Sequence, residues 1–192
     1  MNPRHRRLTA DQQSVLTAFA GHPRIRVVPV GPAPAERYRI SYQVPALRRT
    51  ETNELDRVDL VVVDIALPSG YPREKPYCTT PTAIFHPNFG NYICIADFWS
   101  PSNTLVDVIV QIGDMLQYKL YNTGSPLNAL AARWVVDNLD RVPIGNYELL
   151  PVEPEIVLGA ESFTEADPIL QNEPFGQAPN LFDSTSTREA LS

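Results

Sequence analysis

From Glu36 to Val44 the chain alternates strictly, with Tyr38, Ile40, Tyr42 and Val44 on one side and Arg37, Arg39, Ser41 and Gln43 on the other. A period of two sends successive side chains to opposite faces of an extended strand, so this stretch predicts a strand with one apolar face. Arg24 to Val30, rich in β-branched residues, predicts a strand before it, and Val58 to Leu67 a longer, more continuously apolar one suited to a sheet centre. The charged stretch Arg48 to Asp56 reads as a turn or hairpin tip, and Thr82 to Phe85 as a fourth, shorter strand. After Thr104 the period becomes 3.6. Leu105, Val108, Ile109, Ile112, Met115 and Leu116 then mark the buried stripe of a helix, opened by a capping-box-like Thr104-Leu105-Val106-Asp107. Strands in a short-linked antiparallel meander with helices at its ends define an α+β fold.

Two further helices are expected. Thr9-Ala10-Asp11-Gln12 reads as a capping box with Leu8 as a staple, followed by Val15, Leu16 and Phe19 and ended by Gly21 and Pro23. Ser125-Pro126 reads as the start of the last helix, Ser125 capping it, with Leu127, Leu130, Ala131, Trp134 and Val135 as its buried face. Beyond Pro143 the period dissolves. Nine acidic residues there face one base, Arg188, a net of −8 against −6 for the whole chain, so residues 1–142 carry about +2. The chain therefore divides into a domain over 1–142 and an acidic, Pro-rich tail over 143–192. That tail is read either as disordered and dispensable for the fold, or as partner-binding through Ile156-Val157-Leu158, Ile169-Leu170 and Leu181-Phe182.

A hydrophobic content of 43% over 192 residues supports a real core without staples. Two cysteines do not make a disulfide framework, and with histidines only at 5, 22 and 86 they make no zinc site, so no metal or cofactor is expected. The Arg4-His5-Arg6-Arg7 cluster has no interleaved aromatics, which argues against nucleic acid. No apolar run approaches the ~18 residues of a membrane helix and no leader opens the chain, so the expectation is a soluble cytoplasmic protein with reduced thiols. Cations are skewed: fourteen arginines against two lysines, Lys75 and Lys119.

Chemistry concentrates in residues 71–134, in Tyr71-Pro72-Arg73-Glu74-Lys75-Pro76, His86-Pro87-Asn88, Ile93-Cys94-Ile95 and Trp99-Ser100-Pro101. In order and approximate spacing this string resembles the active-site segment of the ubiquitin-conjugating enzymes, over about residues 8–141. The resemblance implies the ubiquitin-conjugating fold: an N-terminal helix, a four-stranded meander, a cysteine loop and later helices. It implies an enzyme that accepts a ubiquitin-like protein from an ATP-dependent activating enzyme as a thioester on Cys94 and passes it to an amine of an acceptor protein. Thiol–thioester exchange needs an exposed cysteine more than a strong base. Cys78 is assigned to the core.

The remaining roles follow from the same resemblance. Asn88 is either a donor to the oxyanion of aminolysis or a brace of the loop. His86 and Pro87 are structural, as are Trp99 and Ser125; Pro101 also belongs to the Ser100-Pro101-Ser102 loop, which with the residue at Arg73 corresponds to the family's ligase-docking surface. Arg73 stands where the family has an apolar residue, so a ligase partnership is left open. Ser125 stands where an Asp is common, leaving Asp97 as the nearest acidic candidate to orient the amine. Arg4, Arg6 and Arg7 either guide the activating enzyme or are a solvated basic end. Tyr92 replaces the usual Gly two before the cysteine, and the gap from Asn88 to Cys94 is about two residues short. Those departures, the short loops and the scarcity of lysine resemble the bacterial ubiquitin-like conjugation systems. Two alternatives remain: a non-catalytic variant that binds a ubiquitin-like protein, and a cysteine hydrolase, for which a His would have to reach Cys94.

Overall fold

The alternation of residues 36–44 carries straight into the fold. The computed structural model describes residues 2–95, 99–142 and 145–151. Helix α1 (Pro3–Ala18) leads into β1 (Ile25–Val30), β2 (Arg37–Tyr42), β3 (Ala46–Arg49), β4 (Leu55–Val58), β5 (Val61–Ala66) and β6 (Tyr77–Thr79). Helices α2 (Leu105–Leu116) and α3 (Ala129–Asp137) follow, with a 3-10 turn at Leu139–Arg141. Strands β1-β2-β5-β6 form one antiparallel sheet in that order, and β3 and β4 form a separate hairpin between β2 and β5.

The register explains the core. Tyr38 pairs Ile65, Ile40 pairs Val63, Tyr42 pairs Val61, and Ile65 pairs Cys78, so these side chains share one face. That face packs on α2, whose Leu105, Val108, Ile109, Ile112, Met115 and Leu116 are all buried. The Tyr42 hydroxyl donates to Ile109 O at 2.9 Å, satisfying a phenol that sits fully inside. On the opposite face Arg39 is opposite Asp64 and holds it with two bonds, at 2.8 and 3.0 Å, both side chains buried. The α2 start is as expected: Thr104 Oγ1 accepts from Asp107 N–H while Thr104 N–H donates to the Asp107 carboxylate.

Four local expectations are corrected. The first helix begins at Pro3 under an Asn2 cap, not at Thr9; Thr9 lies inside it and its hydroxyl donates back to His5 O. Thr82–Phe85 is not a strand: Ile84 makes one isolated bridge to Arg48, and the fourth sheet strand is the three-residue β6 upstream. Ser125 does not cap α3, which opens three residues later under Asn128, whose side chain accepts from Ala131 N–H. Accordingly the buried face of α3 is Ala131, Ala132 and Val135, with Leu127 and Leu130 exposed.

The segment read as the start of the tail also packs on the domain. Leu149 is fully buried and lies against Gly113 and Tyr42. Buried Gln117 holds the Tyr147 backbone from both sides, Nε2 donating to Tyr147 O at 3.1 Å and Oε1 accepting Tyr147 N–H at 3.0 Å. Gly145 N–H donates to Gln117 O at 2.8 Å, and the Arg24 guanidinium stacks 3.3 Å from the Tyr147 ring centre. The three apolar anchors proposed for the tail lie outside the described residues. No helix among the described residues is long and apolar enough to cross a membrane, and they hold no cluster of His, Cys, Asp or Glu fit for a metal.

Candidate active site

The loop carrying Cys94 has almost no regular structure, so its shape depends on side-chain bonds. His86 is fully buried. Its Nδ1 accepts Asn88 N–H at 3.1 Å and its Nε2 lies 3.0 Å from Leu120 O, an acceptor only, which places the proton on Nε2. Tyr118 and Phe89 meet the ring edge-on. Burial pushes the His86 imidazole down to about 3, against a small opposing effect of the Leu120 bond. With both nitrogens committed and the ring neutral, His86 cannot serve Cys94 as a base. The hydrolase reading has no histidine here.

Asn88, also buried, is the centre of the loop. Its Nδ2 donates to Cys94 O at 3.2 Å, its Oδ1 accepts Asn122 N–H at 2.8 Å, and its backbone carbonyl accepts Cys94 N–H at 2.8 Å. Pro87 O accepts from Leu127 and Asn128 N–H, fastening the start of α3 to the same turn. Asn122 Oδ1 takes Gly124 and Ser125 N–H, an Asx turn that explains why exposed Ser125 sits outside the helix.

The two thiols have opposite surroundings. Ile93 and Ile95 are buried while Cys94 between them is half-buried, so the Ile-Cys-Ile run turns its isoleucines inward and the thiol toward the surface. Cys78, opposite Ile65 in β6, is buried, and desolvation pushes its thiol up to about 12. Ile93 N–H donates to Cys78 O at 2.7 Å, so the core cysteine supports the loop of the surface one. Tyr92, half-buried like Cys94, has its ring centre 6.3 Å from that of Tyr77 and 6.0 Å from Lys75 Nζ.

Arg7 ties three segments together, a role the sequence reading did not assign. Its Nε donates to Asp11 at 2.7 Å, Nη1 to Pro101 O at 2.9 Å, and Nη2 to Tyr71 Oη at 3.1 Å and to Asn103 O. The Tyr71 hydroxyl in turn donates to Asp11 at 2.6 Å, and the half-buried Trp99 ring packs on Tyr71. Helix α1, the Tyr71-Pro72 turn and the Ser100–Asn103 loop thus meet at one guanidinium. Arg4 is likewise engaged, with Glu36 at 2.6 Å and Pro68 O at 3.0 Å. Arg6 and Arg73 are exposed and make no side-chain bond among the described residues, while Pro101 and Ser102 are exposed on the loop that Arg7 holds. Asp97 lies outside the described residues. The clue available to sequence was Arg7 and Asp11 at i and i+4, but nothing local announced Tyr71, Pro101 or Asn103 as partners.

Residues 59–142 match the family model described as ubiquitin-conjugating enzyme. No curated protein matches the chain. Among solved structures, the E2 domain of a Toxoplasma gondii ubiquitin conjugating enzyme is similar, at 24% identity and a TM-score of 0.46, over 71% of this chain and 87% of that one. The fold is the α+β ubiquitin-conjugating fold: N-terminal helix, antiparallel sheet, cysteine loop and later helices.

Proposed function

We propose that the chain is a transferase that takes a ubiquitin-like protein from an ATP-dependent activating enzyme onto Cys94 and delivers it to an amine of an acceptor protein. The observation that carries this reading is the contrast between its thiols. Cys94 faces outward from a braced loop inside the segment matching the family model, whereas Cys78 is sealed in the core. In the first step the Cys94 thiolate attacks the incoming thioester carbonyl; a C–S bond forms, and the activating enzyme's thiolate leaves. In the second an amine attacks the same carbonyl, a C–N bond forms, the C–S bond breaks, and Cys94 departs as thiolate, the amine's proton passing to water or to that thiolate. Neither step needs a metal or a His base.

The other roles follow as proposals. Asn88, bonded to Cys94 O and Asn122 N–H, acts mainly as the brace that holds the cysteine, its second Nδ2 hydrogen being the one left for an oxyanion. Asp97, three residues after Cys94, helps to orient the amine. Arg6 is the member of the basic cluster best placed to steer an activating enzyme, because Arg4 and Arg7 are engaged internally. Arg73, Pro101 and Ser102 offer a surface for a ligase, with a cation where the family has an apolar residue. Placement with the bacterial ubiquitin-like systems rests on Tyr92, the shortened loop and the scarcity of lysine.

Incubation with cognate activating enzyme, modifier and ATP tests the reading. The expected product is an adduct that thiol reductant removes, lost in Cys94→Ala and kept in Cys78→Ala. A labile adduct that survives Cys94→Ala would overturn the assignment.

A further inference from the structure

The two faces of the sheet are unequally furnished. Helices α1 and α2 and residues 145–151 meet the face of Tyr38, Ile40 and Tyr42: Tyr42 donates to Ile109 O, Leu149 lies against Tyr42, and Leu8 and Val15 join the same core. The register sends Arg26, Arg37, Arg39 and Asp64 to the other face. There Arg39 and Asp64 form an ion pair that is only 7% and 3% exposed, a depth of burial that suits the underside of a covering segment rather than an open sheet surface. Val28, Val30 and Val62 on the same face are half-buried, and Arg26 and Arg37 beside them are exposed. This surface thus joins an aliphatic patch to a net positive charge, its one acid among the described strand residues being held by Arg39. The described structure ends close by. Arg24, whose carbonyl accepts Gln43 N–H and so extends the β1–β2 pairing by one residue, precedes inward-facing Ile25, and its guanidinium stacks on Tyr147. Four residues later, at Pro151, the chain leaves the described structure.

We propose that this face is the docking surface for the chain's own acidic segment, residues 153–170, which lies outside the described residues. The segment carries five acids and no base, and it sets Ile156-Val157-Leu158 between Glu155 and Glu161 and Ile169-Leu170 after Asp167. Its charge complements Arg26 and Arg37, and its aliphatic runs complement Val28, Val30 and Val62. The reach is sufficient. Ile156 stands nine residues past Tyr147, up to ~30 Å of extended chain, whereas Val28 stands four residues along the strand from Arg24, ~13 Å. Because residues 145–151 already fasten the chain to the domain, the encounter is intramolecular, and a surface of modest area is enough to hold the segment. Docking there covers the Arg39–Asp64 pair and closes that side of the sheet to a second protein until the segment is displaced. It does not depend on the chemistry of Cys94.

Amide hydrogen exchange of the full chain, read by peptide mass spectrometry, tests this against a synthetic peptide of residues 153–170. In the parent those amides should exchange on the order of tenfold more slowly than in the peptide. Arg26→Glu with Arg37→Glu should bring them to the peptide rate, as should Ile156→Asp with Leu158→Asp, while the amides of β2 and β5 stay protected and report an intact fold. Where the β2 and β5 amides show that the first pair unfolds the domain, Arg26→Gln with Arg37→Gln takes its place. Arg57→Glu with Arg133→Glu, the same charge change in two exposed ion pairs elsewhere, should leave the slowing intact. Exchange at the peptide rate in the parent overturns the proposal and leaves the face to a separate partner. Slowing that survives the Arg26 and Arg37 changes, or that the Arg57 and Arg133 changes abolish equally, overturns it too. Slowing that disappears on dilution, with a dimer in sedimentation, gives the face to a second copy and overturns the intramolecular assignment.

Discussion

The His86–Ile95 loop and the Gly145–Pro151 segment are alike in having little regular structure and unlike in what holds them. The first is held by polar side chains: His86 and Asn88 between them bond Leu120 O, Cys94 O and the N–H groups of Asn88 and Asn122. The second is held by an apolar plug, Leu149, with one amide, Gln117, setting the depth of the backbone. Hydrogen bonds fix direction, and burial is indifferent to it. A segment that must present Cys94 at a set angle needs the former. A segment whose job is to close the core behind Tyr42 and α2 can rely on the latter.

The largest effect should come from the plug. Leu149→Ala removes a fully buried side chain and should cost about 2–5 kcal/mol. Ending the chain after Val142 should cost more, since Tyr147 and its Gln117 bonds go too. Urea unfolding of both variants checks this, with Cys94 alkylation by a small reagent followed in parallel. If the segments are held independently, Cys94 should alkylate in folded Leu149→Ala as it does in the parent. Stability near that of the parent in the truncated chain would show that Gly145–Pro151 contributes nothing to the core.

Asn88→Ala tests the polar side. It leaves Cys94 O and Asn122 N–H without their partner in a part-buried place and should cost about 1–3 kcal/mol. Unlike Leu149→Ala, it should also change the thiol's setting, so alkylation and thioester loading should both shift in the folded variant. Normal loading with slow discharge to free lysine would instead make Asn88 chiefly an oxyanion donor, a loss on the order of 10²–10³ in rate.

What could be read in advance follows the same division. The strand period at Tyr38–Val44, the Thr104 cap and the α2 stripe are local patterns, and the sheet face and helix they predict are present. The cysteine loop was legible because its motif residues stand within a short stretch. Arg7 was not, because its partner Pro101 is 94 residues away and no periodicity records that meeting. The helix starts were misplaced where two capping signals competed: Asn2-Pro3 outranked Thr9, and Asn128 outranked Ser125. Gly145–Pro151 was read as tail because Leu149 is a single apolar residue among prolines and acids. Its burial depends on Gly113, whose missing side chain leaves the space Leu149 fills: a Cβ there would meet Leu149 Cδ1 at 2.3 Å.

The smallest and sharpest difference should be in acid. His86 is neutral in the fold, its imidazole pushed down to about 3 by burial, whereas an unfolded histidine titrates near 6.5. Between those values the unfolded chain binds a proton that the folded one refuses, so stability is full above about pH 6.5 and falls as pH drops toward 3. The slope is at most about 1.4 kcal/mol per pH unit for one proton. His22, also lowered by burial and by Arg24, adds in the same direction, so the effect must be read by difference. His86→Gln should be less stable than the parent at pH 7, and the gap should narrow as pH falls to 5, above most carboxylate titrations. The other segment has the opposite sign. Asp114, which pairs with the Lys119 that donates to Tyr147 O, has its carboxyl pushed up by burial. A raised carboxyl takes its proton earlier in the fold than out of it, so its contribution rises as pH falls through that range. Asp114→Asn should therefore gain over the parent at pH 7 and lose that gain in acid, while His86→Gln shows a deficit that shrinks. A His86→Gln gap that stays constant from pH 7 to 5 would mean that the imidazole is not sealed, and the polar brace of the cysteine loop would then be open to water.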